Sequence, residues 1–69
     1  MGGDTIVLLD VFTVSGVERV QVEVNGRVFD VAEGETFAGG RYRLRSITGR
    51  CATFVRGDEA FTLCVQPQK

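Results

Sequence analysis

The side chains of this sequence that could do covalent or acid–base chemistry are two cysteines, nine carboxylates and a set of hydroxyl groups. Histidine is absent, although it is the residue that most often moves protons near neutral pH and most often binds metals. Acid–base catalysis by carboxylates needs paired groups with shifted pKa values in a pocket. These carboxylates are scattered over turns and exposed strand positions, so the sequence predicts a protein that is not an enzyme and that holds no cofactor and no metal.

The two cysteines, Cys51 and Cys64, form no CxxC motif, which disfavours a zinc site. If the last hairpin turns at Gly57-Asp58, the cysteines face each other in a non-hydrogen-bonded pair, where Cα atoms approach to about 4.5 Å. We expect a disulfide there, because the register and the even count of cysteines agree. The alternative is a pair of reduced thiols in a cytosolic protein.

Three arginines, Arg41, Arg43 and Arg45, alternate along the chain, so one strand would display three guanidinium groups on one face. The first forty residues carry two basic and seven acidic side chains, a net charge of −5, whereas the remainder carries six and two, a net charge of +4. Two interpretations stay open. The arginines pair with acids on a neighbouring strand, or they form a docking strip for an acidic protein partner.

The elements that position these side chains are strands. Runs of β-branched and aromatic residues are separated by glycine-containing turns about every 8–12 residues, and no window shows the apolar spacing of an amphipathic helix. The predicted fold is all-β, a small antiparallel β-sandwich or partly open barrel of about six strands. We expect a flexible N-terminal lead at residues 1–4, a single domain at residues 5–66 and a C-terminal tail at residues 67–69.

The turn at Asn25-Gly26 is the strongest hairpin signal, since both residues tolerate the positive φ of a type I′ turn. The pairing that follows places six residues on one face, five of them apolar, namely Val20, Val22, Val24, Arg27, Phe29 and Val31, whereas Val28 lies on the other face. A further turn at Ser15-Gly16 adds the first strand to the same apolar face through three residues, namely Val7, Leu9 and Val11.

The first strand then turns three other apolar side chains outward, namely Ile6, Leu8 and Phe12. Such a strip is either covered by another strand of the domain or left as a docking edge for a partner. We expect docking for part of it, and burial of all three side chains would contradict that expectation.

The order of the segments resembles that of a known family. Residues 20–37 contain a strand pair that ends in a V-x-x-G-[DE] turn at 31–35, and a Y-x-L-x-S-I strand follows at 42–47. A final hairpin covers residues 52–63. This order resembles the homology region that is shared by type II secretion protein C and the type IV pilus assembly protein PilP.

The resemblance implies two packed three-stranded sheets in a periplasmic or other extracytoplasmic domain, tethered to the membrane by a segment that this chain lacks. It implies a domain without enzymatic activity that docks onto a protein partner, a secretin or an inner-membrane pilus or secretion subunit, and not onto nucleic acid. The cysteine pair departs from the family pattern, so the partner surface cannot be transferred residue by residue. An extracytoplasmic location agrees with the expected disulfide.

Two other functions are compatible with a small β domain. A carbohydrate or cell-wall binding module needs exposed aromatic rings, for which Phe12 and Phe37 are the candidates. A cytosolic SH3-like or OB-like domain would bind nucleic acid through Arg41, Arg43 and Arg45. Single-stranded nucleic acid also needs aromatic rings among the arginines, and the net charge of −1 is low for such a binder.

Overall fold

The structure of the protein is a computed structural model that describes residues 4–65, which form two antiparallel sheets and no helix. The first sheet has the order β1 (Ile6–Val14), β2 (Val17–Val24) and β3 (Arg27–Ala32). The second has the order β4 (Thr36–Phe37), β5 (Tyr42–Thr48), β6 (Cys51–Arg56) and β7 (Glu59–Cys64). The predicted all-β, sandwich-like architecture is confirmed, and the sheets do not close into a barrel.

The strand β4 is the element that the sequence did not predict. It has two residues, which pair with Arg43 and Tyr42 of β5, and it raises the number of strands within residues 4–65 to seven. The resemblance to the secretion and pilus family implies three strands in each sheet, and here the second sheet has four.

The hairpin registers follow from the turns. Asn25 and Gly26 have φ of 52° and 88°, as a type I′ turn requires. Val22 therefore faces Phe29 across β2 and β3, which is the predicted pair. Gly26 can adopt this backbone without the steric cost that a side chain adds.

A β-bulge interrupts β1. From the turn back to Asp10, which faces Gln21, the pairing is the predicted one. Leu8 then faces Val22, so Leu9 is an extra residue without a partner in β2. Because side chains alternate between the two faces of a strand, one extra residue moves every earlier side chain to the opposite face.

The bulge makes the predicted orientation of the first half of β1 wrong. Leu8 lies in the core with 2% of its surface exposed, and Ile6 is half-buried and packs against the core. Val7 and Leu9, which the regular alternation places inside, are each 37% exposed. Phe12, on the other side of the bulge, keeps its outward position and is half-buried. Leu8 therefore belongs to the core and not to a docking edge.

The core between the sheets is organised around aromatic rings. Phe54 is completely buried, and its ring centroid lies 5.7 Å from that of Phe37 and 5.7 Å from that of Phe61. Phe29 and Tyr42 extend the cluster, with centroids 5.8 Å and 5.5 Å from that of Phe37. Phe37 itself is 5% exposed, so it cannot belong to a carbohydrate-binding platform.

The predicted disulfide between Cys51 and Cys64 is confirmed. The two residues face each other across β6 and β7, with Cα atoms 3.9 Å apart. The neighbouring pair on the same face, two residues closer to the turn, is Thr53 and Thr62, whose hydroxyl oxygens lie 3.0 Å apart. The bond ties the open end of the last hairpin, on the face that points away from the core.

Candidate functional site

The outward face of the second sheet carries positive charge and no carboxylate. Its strand positions place Arg43 and Arg45 of β5 in solvent. The outward neighbours of Arg43 on the adjacent strands are Thr36 and Val55. The other outward positions are small or polar, and they hold Ser46, Thr48, Cys51, Thr53, Ala60, Thr62 and Cys64. We call the outward side chains of β4 to β7 the arginine face.

A second β-bulge shapes this face. Leu44 faces Phe54 in the core, but the next cross-strand pair is Ser46 with Thr53, so Arg45 is the extra residue. The arginine strip is predicted from regular alternation along β5, and regular alternation does not include this bulge. Arg45 is nevertheless exposed, so the expectation that it points into solvent is confirmed.

The three arginines of the predicted strip have different surroundings. Arg41 lies in the turn before β5, and its Nη2 donates to Oδ2 of Asp4 at 2.7 Å. Among residues 4–65, no carboxylate oxygen lies within 4.0 Å of a guanidinium nitrogen of Arg43 or Arg45. Of the two interpretations of the arginine strip, pairing with an acid therefore holds for Arg41. Arg43 and Arg45 have free guanidinium groups in the described part of the chain.

A shallow hollow of about 250 Å³ opens beside Arg43. Its lining includes the side chains of Arg41, Thr36 and Val55, and it is bordered by the turn glycine Gly57. Two arginines and two residues with hydroxyl groups, Thr36 and Tyr42, line this hollow and no carboxylate does, so its chemistry suits a negatively charged side chain.

The segment before β1 is fastened to β5 through Asp4. Its carboxylate accepts hydrogen bonds from Asn25 Nδ2 at 2.9 Å, from the Tyr42 hydroxyl at 2.8 Å and from Arg41 Nη2 at 2.7 Å. The bonds from Asn25 and Tyr42, with the charge of Arg41, hold the pKa of Asp4 below its usual range. Burial and the bond to Asp4 raise the pKa of Tyr42.

Sequence reasoning missed this network. It assigned Asp4 to the flexible lead at residues 1–4, of which residues 1–3 lie outside the described residues, as do residues 66–69. The partners of Asp4 lie 21 to 38 residues further along the chain, and no local spacing links such distant polar groups.

We expect Asp4→Asn to lower the melting temperature at pH 7. We also expect the melting temperature of this variant to fall less steeply than that of the parent chain as the pH is lowered. The folded-state pKa of Asp4 is lowered from 3.8, so its contribution to stability is present above the unfolded-state value and is lost as pH falls through the lower folded-state value. Thermal unfolding followed by circular dichroism between about pH 7 and pH 2 measures this. The control is Asp58→Asn, in an exposed turn, and equal pH profiles for the two variants would contradict the assignment.

The outward face of the first sheet has the opposite character. It holds the half-buried acids Glu23 and Asp10 beside the exposed Val7 and Val28, and Val28 is 53% exposed. Residues 4–35 hold seven acidic and two basic side chains, a net charge of −5, whereas residues 36–65 hold five arginines and two acids, a net charge of +3. Two of the seven acids, Glu33 and Glu35, lie in the loop before β4, which is hydrogen-bonded to β5. The strands alone carry a net charge of −2 in the first sheet and +2 in the second, so the charge difference read from the sequence persists between the sheets in reduced form.

Two ion pairs connect the oppositely charged sheets. One is the pair of Asp4 with Arg41, and the other joins Asp10 of β1 to Arg50, with Nη2 and Oδ1 3.3 Å apart. Both side chains of the Asp10–Arg50 pair are more than half exposed, and a pair of this kind contributes about 0–1 kcal/mol. The two ion pairs use two of the five arginines of the second sheet and leave the arginine face unneutralised.

Comparisons of the chain with protein-family models, with curated proteins and with solved structures find no match. Within residues 4–65, no cluster of three or more histidine, cysteine or acidic side chains is arranged to hold a metal ion. The same part of the chain contains no helix of the length and apolarity that a membrane crossing needs. The arginine face is the surface whose chemistry indicates a function most clearly.

Proposed function

We propose that the chain is a non-catalytic protein-interaction domain that binds an acidic surface of a protein partner on the arginine face. The observation that carries this proposal is that Arg43 and Arg45 are exposed and lack carboxylate partners among residues 4–65. A guanidinium group binds a carboxylate through two parallel hydrogen bonds, so arginine is well suited to recognise acidic side chains.

The rest of the face supports contact with a folded protein. Val55 and Ala60 contribute apolar surface beside Arg43, and the hollow at Arg43 can receive one acidic side chain. Carboxylates are absent from the outward strand positions of this sheet, so an acidic partner meets no repulsion there. Opposite charges also speed association and exclude partners of the wrong charge.

We further propose that the domain works outside the cytoplasm, docked onto a secretin or an inner-membrane subunit of a secretion or type IV pilus machine. The disulfide between Cys51 and Cys64 supports an oxidising compartment. The order of the motifs at residues 31–35 and 42–47 supports the family.

The alternative functions have less support. Among the described residues, no aromatic ring occupies an outward position of the arginine face, since Tyr42 is 2% exposed, whereas single-stranded nucleic acid binds by stacking on such rings. Of the two aromatic rings proposed for a carbohydrate-binding surface, Phe37 is buried and Phe12 is half-buried.

We expect Arg43→Glu to weaken binding to an acidic peptide at least ten-fold, because one hydrogen-bonded charge pair is replaced by a repulsive one. The probe is a fluorescent peptide of alternating Glu and Thr, measured by anisotropy at about 50 mM salt. Arg50→Glu makes the same change of charge in an exposed turn outside the arginine face, and we expect it to alter the affinity less than three-fold.

Two further measurements complete the test. The purified periplasmic domain of a secretin encoded in the same genome should bind the protein and lose binding to the Arg43→Glu variant. A fluorescent single-stranded oligonucleotide should not bind. Equal loss of peptide binding in both arginine variants would contradict docking on the arginine face, and binding of the oligonucleotide alone would replace it with nucleic-acid binding.

A further inference from the structure

A second cavity, of about 330 Å³, lies between the turn that joins β2 to β3 and the loop that joins β4 to β5. Val24, Phe29 and Ala38 give it an apolar lining, and Arg27 and Arg41 add two guanidinium groups. Binding sites for small ligands combine an apolar cavity with a few polar groups that fix orientation. The volume is at the lower end of the range for such sites, so the cavity suits one small group and not an extended chain.

The polar groups of this cavity are hydrogen-bond donors. Among residues 4–65, Arg27 makes no ion pair and no side-chain hydrogen bond, and Arg41 uses one nitrogen, Nη2, to bind Asp4. The side chain of Asn25 is already engaged, since its Oδ1 accepts from Thr5 and its Nδ2 donates to Asp4. No carboxylate lines the cavity, so its free polar capacity is cationic and suits an anion.

The loop that carries Ala38 has an unusual backbone. Ala38, Gly39 and Gly40 have positive φ in succession, at 55°, 72° and 87°. A left-handed alanine is uncommon, because its Cβ atom crowds the backbone. Such strained positions persist where the surrounding structure holds them, and they cluster at binding sites.

Two contacts suggest what this loop contributes. The methyl group of Ala38 packs against the core and lines the cavity. The N–H groups of Gly40 and Arg41 donate to Phe37 and Ala38 at 3.1 Å and 3.4 Å, whereas the N–H of Gly39 has no partner among the described residues. The loop thus gives the cavity an apolar wall at Ala38, and Gly39, whose N–H is unpaired among the described residues, lines the same cavity.

We infer that this cavity binds a carboxylate group attached to a short apolar group. The carboxylate pairs with Arg27 and Arg41, and the apolar group contacts Phe29, Val24 and Ala38. Two sources present this chemistry, the C-terminus of a peptide that ends in an apolar residue and a small free carboxylic acid. Arg43 and Arg45 do not line this cavity, whereas Arg41 also lines the hollow beside Arg43. The inference rests on the lining of the cavity itself and does not depend on the proposed function.

The test is a nuclear magnetic resonance titration of the full ¹⁵N-labelled chain. The probes are acetyl-Ala-Ala-Leu with a free carboxylate, the same peptide amidated, and 4-methylpentanoate. We expect the free-acid peptide or 4-methylpentanoate to shift the amide signals of Arg27 and Gly39, and the amidated peptide to leave them unchanged. Tighter binding of the peptide identifies a chain terminus as the ligand, and equal or tighter binding of 4-methylpentanoate identifies a small acid.

Matched variants separate this site from general charge effects. We expect Arg27→Gln to weaken binding at least ten-fold, and Arg50→Gln, which removes an exposed charge outside both the cavity and the arginine face, to leave it unchanged. Both arginines are exposed, so the variants should fold, and unchanged spectra away from the mutated residue verify this. Equal binding of the amidated peptide, equal affinity of the Arg27→Gln variant, or no shift at about 10 mM of any probe would overturn the inference.

Discussion

Phe54→Ala should remove most of the stability that the core of the domain supplies. The side chain of Phe54 is completely buried between Phe37 and Phe61, so truncation removes the centre of the aromatic cluster. Replacing a buried phenylalanine by alanine typically costs about 3–5 kcal/mol. A chain of this size rarely has more than about 3–5 kcal/mol of total stability from its core. Urea unfolding followed by circular dichroism measures the loss.

The matched control for this substitution is Phe12→Ala. Phe12 lies on the outward side of β1 and is half-buried, so the same chemical change should cost clearly less. A Phe54→Ala variant with the unfolding midpoint of the parent chain, or with a loss no larger than that of Phe12→Ala, would contradict the position of Phe54 at the centre of the core.

Replacing Cys51 and Cys64 by serine should lower the melting temperature by more than about 10 °C. The disulfide closes a loop of 14 residues, and a bridge of that length stabilises a fold by about 3 kcal/mol, in part by restricting the unfolded chain. For a domain of this size, each kcal/mol corresponds to about 4–8 °C. Binding of the acidic peptide, measured well below the melting temperature, should change little, because the bond is remote from Arg43 in the register of β6.

Two controls separate the effect of losing the disulfide from the effect of changing side chains on the same face of the hairpin. Thr53→Ser with Thr62→Ser changes the neighbouring outward pair without breaking a covalent bond, and cross-strand pairs of this kind contribute about 0.2–1 kcal/mol. A reducing agent should bring the parent chain to the melting temperature of the double-serine variant and leave that variant unchanged. Two alkylatable thiols in the native, unreduced protein would contradict the disulfide and remove its support for an extracytoplasmic location.

The hairpins could be predicted because turn chemistry is local. Asn25 and Gly26 determine the pairing of β2 with β3, and Gly57 with Asp58 determines that of β6 with β7. The position of Cys51 opposite Cys64 follows from the second turn alone. Each of these pairs depends on counting outward from a turn, and no bulge intervenes in either hairpin.

The bulges could not be predicted in the same way. Leu9 and Arg45 are extra residues in strands that otherwise alternate regularly, and both faces of β1 carry apolar residues before the bulge. Hydrophobic alternation therefore supports either orientation of that half-strand. The choice depends on packing against the second sheet, where Leu8 fits among buried side chains, and such tertiary contacts leave no local pattern.

In the candidate sites, too, features that depend on local sequence could be predicted, and features that depend on contacts between distant segments could not. Exposure of Arg43 follows from alternation within one strand, whereas the partner of Arg41 and the cavity beside Arg27 depend on contacts between the sheets. Asp4 and Arg41 are 37 residues apart. A sequence signal for that pair would require related sequences in which the two positions vary together, and a single chain contains no such information.

The opposite charges of the two sheets give the molecule an electric dipole. An approaching charged body therefore exerts a torque on the domain and turns one sheet towards itself before any contact forms. Packed sheets lie about 10 Å apart, and the Debye length is about 8 Å at physiological ionic strength, so this alignment acts within the last nanometre of approach. At ten-fold lower ionic strength the same torque reaches much further, so the rate of encounter rises while the lifetime of the bound state stays nearly constant.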